Sequence, residues 1–283
     1  VPTEVILLYI SSFILGSIIG SFLNVCIYRL PREESIVYPG SHCTSCKKSI
    51  SFYHNIPILS YIFLKGKCSN CNSRISFIYP AVEVVSGLLF MATLWRFGLG
   101  LDTLFYLVFI CGLIVITFVD LEHMIIPNVI TYPGIIVGIL YNALITNWAL
   151  ITNWQNSLDL ASNFSFGILN FFELLNKIPI LDSLFGVILG GGILLLIAYT
   201  YEIIKKRQGM GMGDVKLLAL IGAFLGWQGV FFVIFLSSIL GSLVGLSIII
   251  ARRGDLKYAL PFGPFLSIAA IIYILTGGFK LFL

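Results

Sequence analysis

The chain has 283 residues and a net charge of +4, and its side chains are 58% hydrophobic but only 11% charged. That balance excludes an ordinary soluble globular domain and points to a bilayer. The small positive excess reflects how the basic residues are placed along the chain, and it implies no nucleic-acid partner.

Apolar stretches near or above the roughly 18–20 residues that cross a bilayer recur at 5–26, 79–98, 103–120, 129–147, 182–201, 214–227, 229–251 and 259–278. They predict an all-α membrane protein, a polytopic bundle of about eight transmembrane helices. The 214–227 span is short, and Gly226-Trp227-Gln228-Gly229 is a weak turn, so an alternative reading merges or drops that span. The first stretch lacks a basic lead-in and a small-residue cleavage site and reads as a retained helix. The connector 148–181, with Trp154, Phe164, Phe166, Phe171 and Phe172 among polar residues, reads as interfacial helices lying on the membrane. In the last span, Pro261-Phe-Gly-Pro264 predicts an unwound end.

Orientation follows from the lysines and arginines. Fourteen of the seventeen fall in 27–78, 202–216 and 252–258, and only Arg96, Lys177 and Lys280 lie on the opposite side. By the positive-inside rule the basic side is cytoplasmic and the N-terminus is outside. The basic loops then face the anionic lipid of the inner leaflet, which makes membrane lipid an expected partner.

Within 27–78 stand Cys43-Thr-Ser-Cys46 and Cys68-Ser-Asn-Cys71, two CxxC pairs 21 residues apart. Each pair turns the chain so that two thiolates face one ion, and two pairs complete a closed tetrahedral site. The spacing predicts a small zinc-ribbon-like cytoplasmic loop with structural Zn2+ on Cys43, Cys46, Cys68 and Cys71. A redox pair or disulfides fit the reducing cytosol poorly. Cys26 and Cys111 fall in apolar spans and read as core, and His42 and His54 as surface or turn residues.

Two carboxylates stand at span edges, where an ionisable group is a functional candidate by default. Asp120 ends Leu113-Ile-Val-Ile-Thr-Phe-Val-Asp120, ahead of a break at Pro127. Asp214 lies in Gly211-Met-Gly213-Asp214-Val-Lys216, where the glycines let the backbone bend as a helix begins. The topology delivers both to the cytoplasmic side. Two nearby carboxylates share one proton, so one activates water while the other protonates the carbonyl or leaving amine. For a lone membrane-edge aspartate a helix cap or an ion pair is the ordinary explanation, and Asp102, Asp182 and Glu4 are left with it. Glu122 stands about 200° around the helix from Asp120 and faces away. Asn24, Arg29 and Glu83 at span ends are candidates to line a cytoplasmic pocket, although interfacial anchoring or snorkelling explains them about as well. Gly16/Gly20, Gly186/Gly190 and Gly241/Gly245 place small residues four apart and predict close helix crossings.

These residues carry a resemblance. Gly20-Ser-Phe-Leu-Asn-Val-Cys-Ile-Tyr-Arg-Leu-Pro31, the two CxxC pairs, Tyr79-Pro-Ala-Val-Glu83, Asp120 with Ile126-Pro127-Asn128, and Gly211-Met-Gly-Asp214-Val-Lys216 resemble the bacterial type IV prepilin peptidases, aspartic membrane proteases of the GxGD type. The resemblance covers most of the chain. It implies cleavage of a short basic leader from type IV prepilins or type II secretion pseudopilins, after a glycine, on the cytoplasmic side of the bacterial inner membrane. Asp120 and Asp214 would be the catalytic pair, with Gly211, Gly213 and Lys216 as supporting motif residues. It also implies N-methylation of the newly exposed residue by S-adenosylmethionine, an activity associated with the cysteine-bearing region. The expected division is thus 1–78, the first helix with the four-cysteine zinc-binding region, and 79–283, the peptidase core. Asn24, Arg29 and Glu83 are the candidates for a methyl-transfer pocket. Two readings of another class stay open on residues alone: a zinc-dependent membrane transporter, with the aspartates binding the translocated ion, and a thiol-disulfide oxidoreductase using the CxxC pairs.

Overall fold

Helices that are apolar all round bury one face in protein and turn the other to lipid. The structure, a computed structural model, describes residues 3–152, 175, 177–205, 211–251 and 260–277. In chain order it has α1 (Thr3–Arg29), a short α2 (Leu59–Phe63), α3 (Ile78–Phe97), α4 (Leu101–His123), α5 (Asn128–Thr152), α6 (Pro179–Lys205), α7 (Met212–Ala251) and α8 (Gly263–Thr276). Six of these are long and apolar enough to cross a membrane, and α8 is a shorter apolar helix. The 40 residues of α7 are two helices meeting at Gly226, whose φ of 67° and ψ of −173° leave the helical region. The weak turn at 226–229 is therefore a real break, and the eight expected spans correspond to eight helical segments. α8 is shorter than the expected span because the prolines take its start out of the helix and leave Pro264 in the first turn. The interfacial helices expected within 148–181 fall mostly on residues outside those described.

Two compact units divide the chain, Val1–Pro127 and Asn128–Leu283. In the first, α1 buries Gly16, Ser17, Gly20, Leu23, Asn24 and Ile27, spaced along one helix face. This face meets α3 closely. A Cβ on Gly16 would lie 2.7 Å from Phe90, one on Gly20 2.9 Å from the Glu83 Cα, and one on Gly87 2.6 Å from Ser17 Oγ. α4 carries the densest core of this unit, with Ile110, Leu113, Ile116 and Val119 fully buried. It ends where Met124 takes a left-handed conformation (φ 54°) and donates its N–H to the Asp120 carbonyl at 2.9 Å.

In the second unit the first arm of α7 is the core, with Leu217, Leu218, Leu220 and Ile221 almost fully buried. α6 lies against it backbone to backbone. A Cβ on Gly190 would lie 2.5 Å from the Leu218 carbonyl, and Gly186 and Gly222 face each other with no room for a side chain. The third small-residue pair behaves differently. A Cβ on Gly241 would meet the rings of Phe262 and Phe265 at an ordinary 3.7 Å, and one on Gly245 would meet nothing within 4 Å among the described residues.

The break in α7 opens the hydrogen-bond ladder between Ala223 and Trp227, and both ends are satisfied from outside that helix. The Trp227 N–H donates to Asp182 Oδ1 at 3.0 Å. The Ala223 carbonyl accepts from Asn142 Nδ2 at 3.0 Å and from the Ser183 hydroxyl at 2.7 Å. Such repairs are what an apolar environment demands of a broken helix.

Candidate active site and metal centre

The two cysteine pairs fold as copies of one knuckle. Cys43 N–H bonds Lys48 O as Cys68 N–H bonds Ser73 O, Lys47 N–H bonds Cys43 O as Asn72 N–H bonds Cys68 O, and Ile50 N–H bonds Ser41 O as Ile75 N–H bonds Gly66 O, all at 2.8–3.0 Å. Lys47 and Asn72, at matching positions of the two knuckles, take φ of 59° and 57°. Each turn thus aims two sulfurs the same way. All four sulfurs lie within 4.8 Å of one another, with Cys43 and Cys71 3.9 Å apart. Bonds of about 2.3 Å to a tetrahedral ion place sulfurs about 3.8 Å apart, so the cluster fits a metal. The Cys46 N–H, followed by the neighbouring Ser45 N–H and the Ser73 hydroxyl, pulls the Cys43 thiol down to about 6. Ser73 likewise lowers Cys71. Cys46 is pulled down by the Lys48 N–H, but desolvation and the adjoining thiols override it and push it up to about 11. A set of thiols sharing protons this unevenly is what a cation would replace. Neither His42 nor His54 joins the cluster: His42 Nδ1 lies 3.0 Å from the Gly40 carbonyl, and His54 packs on Tyr53.

Beside the knuckles the first unit encloses a cavity of about 430 Å³. Asn24, Arg29 and Glu83 all line it, together with Cys43, Cys68 and Tyr79. The structure therefore brings the three pocket candidates together. Their chemistry is not alike. Arg29 is buried and donates to three loop carbonyls, Ser35 at 2.8 Å, Pro39 at 2.7 Å and Gly40 at 3.2 Å. It clamps the start of the cysteine loop and does not snorkel. Asn24 Nδ2 donates to the Tyr79 carbonyl at 3.0 Å and ties α1 to α3. Glu83 Oε2 accepts the Ile58 N–H at 2.7 Å, which fixes the start of α2.

Asp120 is buried at the last turn of α4, one turn beyond the fully buried Ile116. Glu122 is exposed beside His123 and contributes to the lining of the cavity. Asp214 stands in the first turn of α7, one turn before the fully buried Leu217 and Leu218. Each aspartate thus sits at the end of a well-buried helix of its unit. Neither Gly211 nor Gly213 is left-handed, and among the described residues a Cβ on Gly211 would meet just the Gly213 nitrogen within 4 Å, at 3.9 Å. Lys216 reaches back to α5, donating to Asn128 Oδ1 at 2.9 Å and lying 5.3 Å over the Tyr132 ring.

Asp182 is the polar residue whose role sequence reasoning missed. Among the described residues it forms no ion pair; it is the acceptor for the broken turn of α7. The signal was present in Gly226-Trp227-Gln228-Gly229, since a helix break inside an apolar span requires a partner for the freed N–H.

The family model described as "Bacterial Peptidase A24 N-terminal domain" matches residues 14–97, and the model of the "Type IV leader peptidase family" matches residues 107–246. A prepilin leader peptidase/N-methyltransferase of Pseudomonas putida is 34% identical over 286 residues, covering 93% of this chain and 89% of its own. The chain belongs to the type IV leader peptidase family. A protein of the same name from Aeromonas hydrophila is 33% identical, covering 94% of this chain and 89% of its own. Another from Pseudomonas aeruginosa is 30% identical, with the same coverage of 94% and 89%. No solved structure matches the chain. Membership in the leader peptidase family, with six long apolar helices, makes this a multi-pass membrane protein. It also favours the peptidase reading over the transporter and thiol-disulfide alternatives.

Proposed function

We propose that the protein is a bifunctional prepilin peptidase and N-methyltransferase, which removes the basic leader of type IV prepilins or pseudopilins and methylates the new N-terminus. The observation that carries the reading is the family membership over nearly the whole chain, with Asp120 and Asp214 each at the end of a helix, one turn from fully buried Ile116 and Leu218 respectively. The two carboxylates form the proteolytic pair, one activating water and the other protonating the leaving amine. Gly211 and Gly213 keep side chains away from Asp214, and Lys216 fixes the start of its helix against α5. The fourteen basic residues on one side support a reading with the catalytic ends on the cytoplasmic face of the inner membrane and the basic loops against anionic lipid. The acidic Glu33, Glu34 and Glu122 supply the attraction that a basic leader needs there.

Methyl transfer belongs to the first helix and the four-cysteine region, 1–78, with the peptidase core at 79–283; Glu83, just past that boundary, completes the cavity. Asn24, Arg29 and Glu83 surround the methyl-donor pocket. When bound, S-adenosylmethionine supplies a methyl group whose bond to sulfur breaks as the amine lone pair forms the new N–C bond, the amine proton leaving to water. The four thiols of Cys43, Cys46, Cys68 and Cys71 would hold structural zinc, which would tie the two knuckles together beside the cavity.

The test is incubation of the purified protein with a prepilin and S-adenosylmethionine, read by mass spectrometry for cleavage and methylation together. Asp120→Asn and Asp214→Asn are each expected to lower cleavage by about 10³-fold or more while the protein stays folded. Full cleavage by either variant would sink the aspartate assignment.

A further inference from the structure

The cavity in the first unit supports a more specific assignment, one that rests on the methyl-transfer reading above. Cavities of roughly 300–1,000 Å³ hold ligands of drug or cofactor size, and this one, at about 430 Å³, is in that range. Several of its polar groups are already committed. Arg29 spends its guanidinium on Ser35, Pro39 and Gly40, and Asn24 spends its amide donor on Tyr79. One face of Tyr28 is covered by the Arg32 guanidinium, 4.0 Å from the ring centre.

Glu83 differs. Only 8% exposed, it is a carboxylate deep in an apolar setting, and it accepts the Ile58 N–H and a hydrogen bond from Ser21. A carboxylate has about four acceptor sites, so about two remain. At the opposite extreme, Arg74 brings an exposed guanidinium to the cavity lining from the second knuckle. A buried anion and a more accessible guanidinium around one cavity suit a ligand with a cation at its middle and a carboxylate at its end, which is the chemistry of an amino-acid sulfonium. We propose that Glu83 recognises the positive sulfonium of the methyl donor and that Arg74 takes its carboxylate, with Arg29 serving the cavity as a loop clamp.

Glu83 then discriminates donor from spent product, because S-adenosylhomocysteine has lost the charge at sulfur and kept the carboxylate. The buried charge strengthens this discrimination, and release of the neutral thioether follows from it.

The experiment measures binding of S-adenosylmethionine and S-adenosylhomocysteine to the full chain in detergent by equilibrium dialysis. The wild type is expected to prefer the sulfonium by about tenfold or more. Glu83→Gln, which keeps an oxygen for the Ile58 N–H, is expected to bring that ratio to near one by weakening the sulfonium alone. Arg74→Gln is expected to weaken both ligands equally. A Glu83→Gln protein that keeps the wild-type ratio, or that loses both ligands to the same extent, overturns the role of Glu83. If that variant does not fold, equal affinity of the wild type for the two ligands overturns it instead. Failure of the wild type to bind either ligand defeats the methyl-donor reading itself, a different outcome from the loss of selectivity.

Discussion

The two units place charged and polar side chains in apolar surroundings, but they spend them differently. In the first unit Arg29 and Glu83 hold an extramembrane loop, through the carbonyls of Ser35, Pro39 and Gly40 and the N–H of Ile58. In the second, Asp182, Asn142 and Ser183 hold the two ends of a broken helix. The helix contacts differ in the same sense. The glycines of α1 and α3 approach side chains and backbone of the facing helix, whereas Gly186, Gly190 and Gly222 press on backbone carbonyls. The contrast teaches that an intramembrane polar group has first to be asked which orphaned backbone group it serves, before its chemistry is read as function.

The backbone contact of the second unit gives the largest expected effect. Gly222→Leu forces a side chain against the Gly186 carbonyl, which cannot move as a side-chain tip can. It is expected to cost more than about 3 kcal/mol and to abolish the cooperative thermal transition in detergent. Gly245→Leu, where a Cβ would meet nothing within 4 Å among the described residues, is the control and should change stability by less than about 0.5 kcal/mol. A Gly222→Leu protein as stable as the control would mean that α6 and α7 do not close through their backbones.

The next effect is confined to the first unit. Cys43→Ser, or chelation of the metal, should open the paired knuckles and speed nicking between residues 41 and 75 by roughly tenfold or more in limited proteolysis. Methylation should fall more than leader cleavage, because the knuckles wall the cavity while Asp120 rides on the buried α4. Equal loss of the two activities would show that the loop also supports the peptidase site.

Much of this was legible in the sequence, because the signals were local. Apolar runs of bilayer length located the spans, the repeated CxxC located four sulfurs that do meet, and two span-edge aspartates lie at the ends of well-buried helices. Asn24, Arg29 and Glu83 are pocket candidates as polar groups at span ends, and the fold brings them to one cavity. Their division of labour was not legible. That Arg29 faces three carbonyls depends on how the loop 35–40 folds back on it, and no pattern in the chain specifies that. The same limit hid Asp182, whose partner lies 45 residues away across a helix contact. Small-residue spacing also overstated one crossing, since Gly241 and Gly245 have the same separation as Gly186 and Gly190 but lack a backbone facing them.

The smallest effect separates the account of the broken helix most sharply from a plain packing account. Asp182→Ala removes the Asp182 acceptor from the part-buried Trp227 N–H and is expected to cost about 1–3 kcal/mol, read as a lower melting temperature in detergent. Asp182→Asn keeps an acceptor oxygen and should cost less than about 1 kcal/mol. If packing alone mattered, the two substitutions would differ by volume, and adding Ser183→Ala would simply sum with either. Here Asp182 and Ser183 serve the donor and the acceptor of one missing ladder bond, so once the Trp227 N–H is freed the turn at Gly226 can relax toward the Ala223 carbonyl. The Asp182→Ala, Ser183→Ala double variant is therefore expected to be more stable than the sum of the single losses predicts. Strict additivity would mean that the two side chains act independently, and that the break at Gly226 is held by the glycine backbone itself, whose conformation only glycine adopts readily.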